Sequence, residues 1–162
     1  MGKKGREIVQ SELNINEVVE ELNRAVASEW TAAYFYWAAS NVLKGFHGEE
    51  VAEFFEKQVE DELKHASKLA RRINELGGVP IDMIGKVEQT SGEKLTLPND
   101  HTDAEAFIQK ALEVEGKVIE YYNRLAKKYF GKDHATYQVV SEILASEVTE
   151  EEELETLSGK KR

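Results

Sequence analysis

No cysteine occurs anywhere in the 162 residues. Disulfides, thiolate metal sites and cysteine nucleophiles are therefore excluded. Only two prolines are present, Pro80 and Pro98, so long uninterrupted helices are permitted. The most apolar stretch, from Trp30 to Ala39, is far too short to span a bilayer, and no membrane partner is expected. No apolar run follows the basic residues of Met1-Gly-Lys-Lys-Gly-Arg-Glu7, so no secretory leader is expected and the cytoplasm is the expected location. Positive charge is scarce as well. A net charge of −10 repels phosphate backbones, which argues against DNA as a partner, and it attracts cations. The two basic clusters, Lys3, Lys4 and Arg6, then Lys160, Lys161 and Arg162, sit at the ends of the chain and read as solubilising tails.

What is abundant is helix-forming sequence. A composition of 41% apolar and 32% charged residues fits one helical domain with a real core. Residues 1–13 show little periodicity and read as an N-terminal extension. The domain follows over 14–158, and 159–162 form a basic tail. Asn14 or Asn16 can cap a first long helix over about 14–44, and Glu17 completes an Asn-x-x-Glu box from Asn14. Gly45-Phe-His-Gly48 makes a short turn, and a second helix runs over about 49–76, stopped by Gly77 and Gly78. So short a turn makes these two helices antiparallel. Residues 77–101 break the pattern with both prolines and four glycines, and a short helix near 81–86 is expected. A connection of this length can run the whole bundle. A capping box at Thr102-Asp-Ala-Glu105 opens a third helix to about 130, and Asp133 caps a fourth that ends near 157. The expected fold is all-α: an antiparallel four-helix bundle with a long crossover between its second and third helices.

Each helix carries an apolar stripe, and each stripe is interrupted by a carboxylate. Leu22, Val26, Glu29, Ala33 and Tyr36 share one face of the first helix; Phe55, Val59, Glu62, Ala66, Leu69 and Ile73 share one of the second. Ile108, Leu112, Glu115, Ile119, Tyr122, Ala126 and Tyr129 follow on the third, and Val140, Ile143, Glu147, Leu154 and Leu157 on the fourth. A single such glutamate is ordinarily a satisfied core polar group. Four of them are different. Thirty-three residues separate Glu29 from Glu62, and thirty-two separate Glu115 from Glu147. At about 1.5 Å of rise per residue, antiparallel hairpins bring all four to one level. His65, three residues after Glu62, shares its face, and Glu150 stands in the same relation to Glu147.

Clustered carboxylates in an apolar core require cations. Carboxylates with imidazole suit two bridged divalent ions, iron, manganese or zinc rather than magnesium. The candidate ligands are Glu29, Glu62, His65, Glu115, Glu147 and Glu150, with Glu151 the alternative to Glu150. Glu113 is set aside in favour of Glu115, because its register holds mostly charged residues: Lys110, Lys117, Glu120 and Arg124. Tyr36 and Tyr122, each seven residues after a candidate glutamate, stand beside the site, and Tyr36 is carried as a catalytic candidate. His47, His101 and His134 fall in turns or at helix starts and are expected on the surface.

Ala27-Ser-Glu-Trp-Thr-Ala-Ala-Tyr-Phe-Tyr36 and Glu62-Leu-Lys-His65 resemble the ligand helices of bacterioferritins. Asn74-Glu-Leu-Gly-Gly-Val-Pro80, Leu112-Glu-Val-Glu115 and Tyr129-Phe-Gly-Lys-Asp133 with Thr136-Tyr137 resemble Dps-like proteins of the ferritin-like superfamily, over roughly 14–158. The resemblance implies a ferritin-like bundle and a homo-oligomeric shell, of twelve subunits on the Dps-like side. It also implies a bacterioferritin-type di-iron site with two iron ions per subunit. The implied activity is ferroxidase: oxidation of Fe(II) by hydrogen peroxide or dioxygen, with ferric mineral stored and oxidative damage limited. Three positions depart from the pattern. Glu150 stands where His is usual, which bears on metal preference. The cysteine pair of some Dps-like relatives is missing. Leu63 replaces the methionine that binds haem in bacterioferritins, so no haem is expected. A second reading is a rubrerythrin-like di-metal peroxidase that builds no shell.

Overall fold

The computed structural model describes residues 2–92 and 94–159. Its elements are α1 (Lys3–Glu12), α2 (Ile15–Val42), α3 (Gly48–Glu75), a 3-10 turn (Ile84–Lys86), α4 (Val87–Ser91), α5 (Ala104–Tyr129) and α6 (His134–Leu157). Among the described residues there is no strand, and no helix is long and apolar enough to cross a membrane. The basic residues 160–162 lie outside the described residues.

Local chemistry sets the boundaries. Asn14 accepts the Asn16 N–H at 3.0 Å, and its own amide reaches Glu17 at 3.2 Å, starting α2. Gly77, at φ 82°, takes the left-handed conformation that ends α3. The cap of α5 is Asp103, which accepts from the Ala106 N–H at 3.0 Å. Thr102, the expected cap, instead donates its hydroxyl to Asp100 at 2.7 Å, closing the turn before it. Asp133 caps α6 as expected.

The crossover settles the topology. Asn23, early in α2, holds its beginning by accepting from the Ile81 N–H (2.7 Å) and donating to the Val79 carbonyl (3.0 Å). Thr31 bonds Ser91 at the end of α4 (3.3 Å), and the Lys44 N–H, past the end of α2, donates to the His101 carbonyl at 2.9 Å. The connection therefore runs along the whole of α2 in its own direction. α5 begins where α2 ends, antiparallel to α2 and parallel to α3. At the far end, Glu21 of α2 takes hydrogen bonds from Lys128 (2.7 Å) and Tyr129 (2.6 Å) of α5.

Three expectations shift. Residues 3–12 form a helix, with Val9 buried, where the pattern showed little periodicity. The short helix of the crossover lies at 84–91 rather than 81–86. The buried face of α5 is centred on Phe107, Ala111, Val114, Val118 and Leu125, leaving Leu112 and Ile119 at its edge.

Two features lock the α3 end of the bundle. Buried Arg72 donates to both oxygens of buried Asp133 (3.1 and 3.0 Å) and to Thr136 (2.8 Å), tying α3 to the start of α6. Burial opposes charge on Asp133, but the Thr136 hydroxyl and N–H and the Arg72 guanidinium outweigh it and hold its carboxyl below the usual range. Gly78 meets α2 so closely that an added Cβ would stand 2.6 Å from Val19 Cγ1. Gly78→Ala should therefore destabilise the protein by about 1–3 kcal/mol through overpacking, measured as a lowered urea midpoint with unchanged slope. A midpoint at or above that of the parent would show that Val19 yields freely.

Candidate metal centre

Glu29 and Tyr36 come from α2, Glu62 and His65 from α3, Glu115 and Tyr122 from α5, and Glu147 and Glu150 from α6. All eight are at least 95% buried. Helical spacing turns each pair inward, and the two antiparallel hairpins bring the pairs to one depth.

The tyrosines cross between the halves of the chain. The Tyr36 hydroxyl donates to Glu115 Oε1, and the Tyr122 hydroxyl donates to Glu29 Oε1. Each hairpin thus anchors the other's glutamate, leaving Oε2 of each without a partner. Ser146 anchors Glu150 the same way, donating to Oε1 at 2.9 Å and leaving Oε2 unpaired. His65 Nδ1 stands 3.0 Å from Glu147 Oε1, 3.5 Å from Glu29 Oε2 and 3.8 Å from Glu62 Oε2. Despite these distances Nδ1 meets no oxygen at hydrogen-bond angles and counts as unpaired.

The unpaired atoms are confined to this spot. Among the described residues, eight buried side-chain nitrogen or oxygen atoms have no partner. Seven belong to Glu29, Glu62, His65, Glu115, Glu147 and Glu150; the eighth is Gln58 Oε1. Leaving such atoms dry costs about 1–3 kcal/mol each, more for charged groups. The six cluster residues fall into two groups, each offering ligand atoms within 4.8 Å of one another: Glu29, Glu62, His65 and Glu147, and Glu62, Glu115, Glu147 and Glu150. Glu62 and Glu147 belong to both. The donor set fits two cations sharing two carboxylates, one site with an imidazole and one made of oxygen alone.

Electrostatics agrees with that fit. Burial and the neighbouring carboxylates Glu29 and Glu147 push Glu62 well above its ordinary range; burial and Glu147 do the same to Glu115. Burial raises Glu147 to about 7 against the pull of His65, and raises Glu150 to about 7 with help from Glu115. Burial disfavours charge on His65, but Glu147 and Glu29 overcome it and raise the imidazole to about 10. Burial and the nearby carboxylates raise both tyrosines, so they stay protonated donors. Without cations, the cluster holds protons in their place.

The expected residues thus assemble, and the alternatives lie elsewhere. Glu113 is exposed and pairs with Lys110 at 3.0 Å. Glu151 is half-buried and outside both groups. His47 and His134 are exposed; His101 is half-buried, its ring edge-on to Phe107. Sequence reasoning passed over Ser146, four residues before Glu150, and Gln58, four before Glu62. Both were visible as polar residues in register with a candidate ligand.

The profile of the Ferritin-like domain matches residues 19–162. The chain belongs to the ferritin-like family. The DNA protection during starvation protein of Pyrococcus furiosus is 30% identical over 153 residues, covering 94% of this chain and 82% of that one. The bacterioferritin-related protein of Bacteroides fragilis, a dodecameric thioferritin, superposes with a TM-score of 0.90 at 30% identity, over 96% of this chain and 92% of that one. Dps from Thermosynechococcus elongatus shares the fold with a TM-score of 0.82 at 16% identity, over 90% and 92%. This is a ferritin-like protein of Dps type, and its buried acidic cluster lies at the centre of the ferritin-like bundle.

Proposed function

We infer that this ferritin-like protein is a ferroxidase that oxidises Fe(II) at the buried cluster and stores the product in a homo-oligomeric shell. One observation carries the reading: two four-residue groups of potential ligands share Glu62 and Glu147, in a cluster that holds seven buried unpaired atoms. Two ferrous ions are the substrate. Glu29, Glu62, His65 and Glu147 receive one; Glu62, Glu115, Glu147 and Glu150 receive the other. Tyr36 and Tyr122 hold Glu115 and Glu29 so that one oxygen of each stays free. Hard anionic oxygens favour the ferric product. With peroxide as oxidant, two ferrous ions supply two electrons, the O–O bond breaks, two protons are taken up, and two waters form. Manganese and zinc fit the same donor set, zinc without redox chemistry.

Assembly has its own support. Trp30, Tyr34, Trp37 and Ile84 are exposed around an apolar groove of about 580 Å³ on the outer face of α2 and α3, which holds none of the cluster residues. A twelve-subunit shell of 18.4-kDa chains would weigh about 220 kDa. The Pyrococcus relative is named for DNA protection. At a net charge of −10, this chain would protect nucleic acid by consuming ferrous iron and oxidant in the cytoplasm rather than by direct contact.

Anaerobic titration with Fe(II), then addition of peroxide and native mass determination, tests the reading. The expected result is saturation at two ions per chain, oxidation at one peroxide per two ions, and iron retained in a particle near 220 kDa. Oxidation in a particle near dimer mass would favour the rubrerythrin-like enzyme. Oxidation no faster than in buffer would end the ferroxidase reading.

A further inference from the structure

Outside the cluster, Gln58 Oε1 is the sole buried side-chain nitrogen or oxygen without a partner among the described residues. Gln58 is 2% exposed and lies on α3 one turn before Glu62, on the same helix face. Side chains lean toward the start of their helix, so Glu62 leans toward the turn that carries Gln58. One turn earlier, Phe55 is fully buried against the Tyr36 ring, with centroids 5.1 Å apart, and Tyr36 anchors Glu115. Along α3, Gln58 thus lies between the turn that carries Phe55 and the turn that carries Glu62.

An unsatisfied amide oxygen in that position is destabilising, and a methionine or leucine would fill the space without the penalty. A small polar occupant would remove that penalty. Its carbonyl accepts a hydrogen bond and its NH2 donates two. Hydrogen peroxide both donates and accepts; dioxygen has no hydrogen to donate and is apolar. We propose that Gln58 is a docking residue for hydrogen peroxide beside Glu62 and sets the preference for peroxide over dioxygen. The proposal rests on the ferroxidase reading and extends it to the choice of oxidant.

The test uses the full-length protein preloaded anaerobically with two Fe(II) per chain. Parent and Gln58→Met are mixed with peroxide or with dioxygen, and the ratio of the two second-order rate constants is compared. Loss of the amide should lower the peroxide-to-dioxygen ratio by about tenfold, the worth of one good hydrogen bond. A general disturbance of Glu62 would slow both oxidants and leave the ratio alone. A second reading comes from the metal-free protein, whose melting temperature in Gln58→Met should equal or exceed the parent's. An unchanged ratio, or a lowered melting temperature, overturns the proposal: the amide then serves a structural water only. A parent protein that oxidises iron with neither oxidant overturns the ferroxidase reading itself, a distinct result.

Discussion

Replacing Glu62 with alanine should slow ferrous oxidation by at least about a thousandfold while leaving the bundle folded. Loss of an outer partner of a metal ligand typically costs about 10–100-fold in metal affinity or activity. Glu62 stands closer than that, since it belongs to both groups of ligand atoms. On the proposed reading its removal would take one oxygen ligand from each ion and leave Glu147 as the sole shared carboxylate. Two-electron chemistry needs the ions as a pair, so stopped-flow absorbance should show the fast phase vanish rather than shrink. Folding should survive. Glu62 is buried in the metal-free protein with its Oε2 unpaired. Truncation then removes a buried, incompletely paired carboxyl as well as apolar contacts, and the two effects oppose. Circular dichroism of Glu62→Ala should match the parent, and anaerobic Fe(II) titration should fall below two ions per chain. Parent-like oxidation by Glu62→Ala would remove the cluster from the mechanism.

The all-oxygen half of the site follows from Glu150. Where relatives were expected to carry an imidazole, this chain supplies a carboxylate held by Ser146 at 2.9 Å. That ion would see Glu62, Glu115, Glu147 and Glu150 only. Oxygen donors suit harder cations than imidazole does, so this half should favour ferric over ferrous iron more strongly than its neighbour. The asymmetry belongs to the chemistry of the two halves. Their scaffolds stay symmetric, as the crossed tyrosines show.

The helices and the cluster were legible for the same reason. A 3.6-residue period makes an inward-facing glutamate conspicuous among Val26, Ala33, Phe55 and Leu69, and matched spacing between Glu29 and Glu62 and between Glu115 and Glu147 puts them at one level. What escaped depends on contacts between distant segments. Arg72 reads as the polar end of a helix, and only the fold shows it buried against Asp133, 61 residues away. Thr102 and Asp103 are both competent caps, and Asp100 decides between them by engaging the Thr102 hydroxyl. α1 has too few apolar residues to announce itself; Val9 is buried because the bundle offers it a surface. Gln58 sits in plain register, but one amide in a stripe carries no signal until its carbonyl is seen to lack a partner.

Metal-free protein should melt lower at pH 8 than at pH 5.5, by on the order of 10 °C, and bound Zn(II) should abolish that decline. Glu147 and Glu150 ordinarily titrate near 4.5, and burial raises each to about 7. A carboxyl raised on folding contributes stability that is fully present below its unfolded value and lost as pH rises through its folded value. The window is therefore about pH 4.5 to 7 for this pair. Glu62 and Glu115, raised further, extend the loss upward, and His65, raised from 6.5 to about 10, acts in the same direction. Each of the Glu147 and Glu150 shifts corresponds to roughly 3 kcal/mol in full, of which about 2 kcal/mol falls between pH 5.5 and pH 8, and about 2–4 °C accompanies each kcal/mol in a domain of this size. Coupling among neighbours keeps the sum below simple addition. Asp133 and Glu21, both lowered, work oppositely, but only as pH falls below their ordinary values near 4. Cations invert the balance. They require the carboxylates ionised and His65 neutral, so binding releases protons and strengthens with pH. Zn(II), which adds no redox chemistry, should then stabilise the protein more at pH 8 than at pH 5.5. Calorimetry in two buffers of different ionisation heat would count the released protons directly. A metal-free melting temperature that rises across this range would mean that the glutamates reach solvent instead of one another, and no pair of ions would be needed to hold them.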